Sequence, residues 1–524
     1  MSRSLLAALA LLAPALAAQT PGHDASHLGT VHFETSCASA TRPAFEKGVA
    51  LLHSFGFTGA VQAFNDVLSA DSTCVAAYWG LALSAWGNPF AAGIKPNAQL
   101  ERGLQIVQRG RALTGGTERE QSYLAAAAKL YENYQSTDQR TRILAYRDAM
   151  ADVARRNPSD EEAAIFYAAA LAFSADPNDK SYESQTKAAA ILEPLAVRLP
   201  DHPGIAHYLI HAYDVPALAS KGIPAANRYA AIAPSSAHAL HMPSHTYTRV
   251  GEWQESIATN IRSAGAASAE GAVGEALHAN DYLMYAYLQT GQDSAAARVL
   301  AALPALAARY DPNGPTTGAP PAAAYYAIAA VPARYALERG DWSAATKLEV
   351  HQTAFPFADA ITWFARGIGA ARMDDTVLSA EAVRQLGRLR DALTQRKETY
   401  WSQQVDIQSR GVDAWRAFAR GARTEALTAM RATADLEATT EKNAITPGPI
   451  LPARELLGEM LLASGDARGA YKEFEATLLT EPRRYRAVAG AMRSAKAAGN
   501  AAASNRYATQ LAQLTEHGDR AKPR

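Results

Sequence analysis

Four histidines stand in two pairs, His207 with His211 and His241 with His245, each spaced i, i+4, the pairs lying 34 residues apart. Side chains four residues apart share one face of a helix. A 34-residue interval is also the period of a helical-hairpin repeat, in which equivalent positions of successive units sit side by side. The spacing therefore carries the second pair next to the first. Neutral imidazole is the commonest protein ligand for Zn, Cu, Fe and Ni. The chemistry this pattern points to is coordination of a transition metal, with Zn, Cu or Fe as candidates. Seven of the 13 histidines fall between His202 and His278.

The elements that must position these residues are read from the turns. A Gly recurs with a small residue five positions later: Gly251 with Ser256, Gly291 with Ala296, Gly340 with Ala345, Gly421 with Ala426, Gly465 with Ala470. The Gly ends one helix in a left-handed cap, and the small residue lets the next helix approach the first. Strand signals are nearly absent from Pro43 onward, so the reading is all-α. Two Pro- and Gly-rich stretches, 301–325 and 438–450, interrupt the series as irregular connections. They divide the array into segments 37–300, 326–437 and 451–515, with 516–524 as a disordered tail.

Together these features resemble a tetratricopeptide repeat protein over nearly all of residues 42–515. The segments Leu51–Phe55, Ala77–Gly80, His207–Asp214 and Ala239–His245 are similar to those of a secreted bacterial group of such proteins. The resemblance implies a helical-hairpin solenoid wound as a right-handed superhelix, with a concave groove that holds a protein, peptide or small molecule. In that family the first helix of each repeat lines the groove, at positions 13, 10 and 6 before the turn glycine. Counting back from Gly251 gives His238, His241 and His245, and from Gly291 gives His278, Asp281 and Tyr285. The preceding repeat, with Ala217 in the place of the glycine, gives His207 and His211, with Asp214 one turn on.

The expected metal ligands are thus His207, His211, His241, His245, His278 and Asp281. Asp214, His238, Tyr285, Arg334, Glu455 and Glu459 are candidates for orienting those ligands or lining the groove. Gln404 and Gln408 have the same standing. A metal-dependent enzyme, a metal-free peptide-binding module and a purely structural hydrogen-bonded network are the alternatives. Pro243 and Pro332 fall inside groove helices, where proline removes a backbone hydrogen bond. Trp79, Trp253, Trp342 and Trp415 occupy packing positions between helices.

Charge is balanced, 51 basic against 51 acidic residues, so nothing favours nucleic acid, and no apolar run is long enough to insert into a membrane. No nucleophile elbow, phosphate-binding glycine loop or HExxH motif is present. Residues 1–18 read as a signal peptide, with Arg3, an apolar run and an Ala15-Leu16-Ala17 cleavage site, and 19–36 as a flexible leader. The expected location is periplasmic or secreted. In an exported protein the two cysteines, Cys37 and Cys74, are expected to form a disulfide around the first hairpin.

Overall fold

The computed structural model describes residues 27–91, 93–314 and 317–520. The signal-peptide reading lies outside the described residues. Among them are twenty-five α-helices and no strand. Consecutive helices joined by turns of a few residues pack on one another as hairpins, for example Val273–Gln289 on Asp293–Ala307 and Ala453–Ala463 on Ala467–Thr480. The chain is an all-α helical-repeat solenoid. Among the described residues no helix is long and apolar enough to cross a membrane.

The turn chemistry is as the sequence demands. Gly251, Gly291, Gly340, Gly421 and Gly465 all have positive φ, between 66° and 88°. The small partners Ser256, Ala296, Ala345, Ala426 and Ala470 are all fully buried. A Cβ-bearing residue would be strained at the first set, and a larger side chain would push the helices of each hairpin apart at the second. Trp79, Trp253 and Trp415 are buried between helices, and Trp342 is partly so.

The apolar core has two large clusters, one running from Leu28 to Tyr247 and another from Trp253 to Leu514, with two smaller ones around Val273–Val331 and Ala230–Ala276. The histidines from His207 to His278 span the boundary between the two large clusters. Distant hairpins also return to the middle of the array. Lys180 pairs with Glu441 at 2.6 Å, the Trp253 indole donates to the Arg483 carbonyl at 3.0 Å, and Arg520 pairs with Asp293 at 2.6 Å.

Three expectations are corrected at the ends and connections. Residues 27–36 are not a loose leader: Leu28, Val31 and Phe33 are buried, and the Phe33 ring sits 5.1–5.3 Å from Phe45, Trp79 and Tyr123. Apolar side chains spaced two or three apart are enough to anchor this extended segment. Residues 516–520 are likewise docked, since the Asp519 and Arg520 backbone N–H groups both donate to the Gly291 carbonyl at 2.9 Å. The irregular connections are 308–320 and 438–452, bounded by the helices ending at Ala307 and Glu437. Cys37 and Cys74 form the expected disulfide, with Cα atoms 4.9 Å apart, across the first hairpin.

Candidate metal centre

The helix Pro203–Ala212 carries His207 and His211, and Val273–Gln289 carries His278. Between them, Ala237–His241 and Pro243–Val250 carry His238, His241 and His245. Pro243 splits this element because it has no N–H to continue the ladder. Met242 keeps helical angles, φ −53° and ψ −35°, so His241 and His245 stay on one face. Hydroxyls of the helix Trp253–Ala269 bond carbonyls beside the break: Thr259 donates to Leu240 at 2.6 Å and Ser263 to Ala237 at 2.9 Å. The break is supported rather than frayed.

The imidazoles gather into two triads, His207/His211/His238 and His241/His245/His278. Within each, one nitrogen from every ring lies within 4.8 Å of the others. Each triad joins the two positions 10 and 6 before a turn to the position 13 before the next. The repeat frame thus generates the same site twice. All six residues are at most 9% exposed, so they form a covered belt rather than an open groove wall.

The cover is mostly aromatic. Phe55 packs 4.4 Å from His207 and 5.3 Å from His238, and Phe90 stacks on His211 at 3.7 Å. The Tyr282 ring lies 4.7–5.2 Å from all three rings of the second triad. The 308–320 connection closes over His238: a Cβ at Gly318 would fall 2.0 Å from its Nδ1. Only glycine allows that approach.

Hydrogen bonds fix the tautomers. Nδ1–H of His207 donates to the His53 carbonyl at 2.6 Å, and that of His238 to Glu275 at 3.0 Å. Nδ1–H of His245 donates to Asp214 at 3.0 Å, and that of His241 to Asn260 Oδ1 at 2.7 Å. The Asn260 orientation is set by its Nδ2 donating to the Ser256 carbonyl. With Nδ1 donating in all four rings, the neutral form of each carries its lone pair on Nε2, and the Tyr282 hydroxyl lies 3.4 Å from Nε2 of His245. Yet His207 Nε2 faces His238 Nε2 at 3.3 Å, and His241 Nε2 faces His245 Nε2 at 3.2 Å. Two lone pairs at that distance repel unless a cation lies between them. Nitrogens bound about 2.0–2.1 Å from one tetrahedral ion stand about 3.3–3.4 Å apart. His211 Nε2 and His278 Nδ1 have no hydrogen-bond partner among the described residues.

Electrostatics keeps the lone pairs free. Burial, reinforced by neighbouring imidazoles, holds His207, His211 and His241 well below the usual histidine range. Burial also lowers His245 against the pull of Asp214, and takes His278 down to about 3 against that of Glu275. Burial opposes ionisation of Glu275, but His238 overcomes it and holds the carboxyl at about 2.

A third group, His53/Glu162/His202, is built differently. His53 Nε2 and His202 Nε2 each lie 2.9 Å from a separate Glu162 oxygen, and His53 Nδ1 lies 3.0 Å from the Tyr208 hydroxyl. Its Nε2–H groups converge on a carboxylate, so its lone pairs are not gathered toward one point, although His202 Nδ1 has no hydrogen-bond partner among the described residues. It holds His53, whose carbonyl orients His207.

The remaining expected residues separate from the belt. Asp281 is not among the imidazoles: it accepts from Arg334 at 2.8 Å, both side chains being fully buried. Arg334 also binds the 438–452 connection, through Thr446 Oγ1 and the Gly448 and Pro449 carbonyls. Drawing Asp281 away would leave the Arg334 charge buried without its partner. Glu455 and Glu459 do not face the histidines. Glu455 pairs with Arg484 at 2.7 Å and Arg486 at 3.0 Å, and Glu459 with Arg372 and Arg486. The Tyr285 hydroxyl contacts Glu481 and Arg484, and Gln404 donates to Thr440. Asp214 holds His245, Arg249 and Lys442 together. His211 and Asp214 also line a cavity of about 880 Å³.

No protein-family model matches the chain, and no curated protein matches it. Among solved structures it is similar to a human IFIT1 dimer with m7Gppp-AAAA, at 11% identity over 84% of this chain and 90% of that one, TM-score 0.38. It is also similar to the APC/C hetero-tetramer Cut9–Hcn1, at 9% identity over 92% and 95%, TM-score 0.30. A third is Naa15/Naa10 bound to HypK-THB, at 12% over 90% and 78%, TM-score 0.26. These likenesses are loose, and the fold assignment stands on the helical hairpins themselves.

Proposed function

We propose that this helical-repeat scaffold is a metal-binding protein that holds two transition-metal ions, one in each imidazole triad. The observation that carries the reading is the facing of Nε2 atoms at 3.2 and 3.3 Å in rings whose Nδ1 is already committed as donor. A metal-free hydrogen-bonded network would instead turn ring N–H groups onto acceptors, as His53 and His202 turn Nε2 onto the two Glu162 oxygens. Three protein ligands leave a fourth position for a small molecule, the arrangement of catalytic rather than purely structural sites. The cavity at His211 supports access for a substrate or partner of small-molecule or peptide size, so the reading extends to a metal-dependent enzyme.

The test is metal analysis of untagged protein beside His241→Ala. Occupancy of the second triad should be lost in the variant with helical content nearly unchanged. A variant with full metal content contradicts the reading, and so does wild-type protein that retains no metal after loading and desalting.

A further inference from the structure

The geometry points to the two triads acting as one dinuclear copper centre whose small-molecule ligand is dioxygen. This rests on the metal reading above and goes beyond it in the identity of the ions, their coupling and what they bind.

The triads adjoin. Ring centres across the boundary are 5.9 Å apart for His211–His245 and 6.2 Å for His238–His241. Within the second triad, His245–His278 already reaches 6.3 Å. Six rings therefore form one continuous belt, and ions in the two triads are close enough to share a bridging molecule. Paired ions in two-metal sites stand about 3.5–4 Å apart.

Ligand type selects the metal. Each triad offers three neutral imidazoles and no carboxylate or thiolate. The nearby acids are engaged: Asp214 with Arg249 and Lys442, Asp281 with Arg334, and Glu275 with Thr317, the Ala319 N–H and His238. Neither triad includes an anionic ligand for oxygen-seeking ions, and imidazole suits copper, whose divalent form tops the first-row affinity order. Charge narrows the choice further. Repulsion between two ions scales with the product of their charges, so two monovalent ions repel about four times less than two divalent ones. With no bridging carboxylate to offset it, a resting pair of Cu(I) suits the site better than two Zn(II).

The same balance defines the step. Dioxygen takes one electron from each Cu(I), its O–O bond order falls from two to one, and the product is peroxide bridging two Cu(II). The two negative charges gained by oxygen equal the two positive charges gained by copper, and no proton or further reductant is consumed. Phe55, Phe90 and Tyr282 cover the belt, and the cavity that His211 lines is the side from which a small molecule would approach it.

The experiment loads the untagged full chain anaerobically with the acetonitrile complex of Cu(I), desalts it, counts copper, then admits oxygen and records optical and electron paramagnetic resonance spectra. The expected result is two coppers per chain, a new near-ultraviolet band on oxygenation, and no paramagnetic signal because the two Cu(II) spins couple. Two coppers giving the full signal of isolated Cu(II) would overturn the dinuclear proposal and leave the metal reading standing. So would a protein that takes two zinc ions and no copper. Retention of neither metal would sink both readings. His238→Asn should reduce copper from two to one and expose the signal of a single Cu(II). His245→Asn, on the other triad, supplies the same readout independently, and coupled spectra that persist in a folded variant of either kind would refute the proposal.

Discussion

Acidifying the metal-free protein should destabilise it steeply between pH 7.5 and 5.5. Six histidines, His53, His207, His211, His241, His245 and His278, have pKa values depressed by burial. For a base depressed in the fold, the unfolded chain binds more protons below its ordinary pKa near 6.5, so stability falls as pH falls through that value. A group held well below the window costs about 1.4 kcal/mol per pH unit, and His207, His211, His241 and His278 together would remove about 5 kcal/mol by pH 5.5. Glu437 works the other way. Burial raises it to about 7, so the fold takes up a proton that the unfolded chain does not, returning about 2 kcal/mol over the same window. The net loss of about 3 kcal/mol is a large share of the whole stability of many domains. Glu162 and Glu275, both held at about 2 in the fold, stabilise it above their unfolded values and lose that contribution only below about pH 4.5, a separate and later step. Urea titrations followed by circular dichroism in the presence of chelator measure the effect. A midpoint unchanged between pH 7.5 and 5.5 would refute the claim that these imidazoles are buried and neutral.

Arg334→Met should destabilise the protein by about 3–5 kcal/mol, because it leaves Asp281 buried without its partner. Hydrogen exchange should then rise across 446–449, the segment whose groups Arg334 holds. Glu275→Gln keeps every metal donor but weakens the anchor of His238, so competition titrations should read a 10–100-fold loss of metal affinity in the first triad. Reducing the Cys37–Cys74 bond releases a closed segment with a sequence separation of 37, for which chain entropy gives about 4 kcal/mol. The loss should appear as faster hydrogen exchange in the first hairpin alone, since solenoid units depend on their neighbours.

The fold and much of the belt were legible because both follow from local chemistry. The turn glycines set the repeat frame, and the frame placed His207, His211, His241, His245 and His278 on facing positions. His238 was assigned a supporting role because the 34-residue match paired 207/211 with 241/245 directly. In the folded chain neighbouring helices are offset, so each pair instead takes its third imidazole from the position 13 before the next turn. Asp281 was unreadable as an ion-pair partner because Arg334 lies 53 residues away. The same distance problem hid the bonds of Glu455 and Glu459 to Arg484, Arg486 and Arg372. His53, Glu162 and His202 carry no spacing signal at all, since they come from separate hairpins. The docking of Phe33 likewise depends on a pocket built by Phe45, Trp79 and Tyr123.

The central claim is tested most directly by anomalous scattering from crystals of untagged, metal-loaded protein, recorded on both sides of the metal's absorption edge. The account predicts two peaks, one bounded by His207, His211 and His238 and the other by His241, His245 and His278, each about 2.0–2.1 Å from its nitrogens. Well-ordered triads with no anomalous peak in either, or peaks confined to His53, Glu162 and His202, would contradict it.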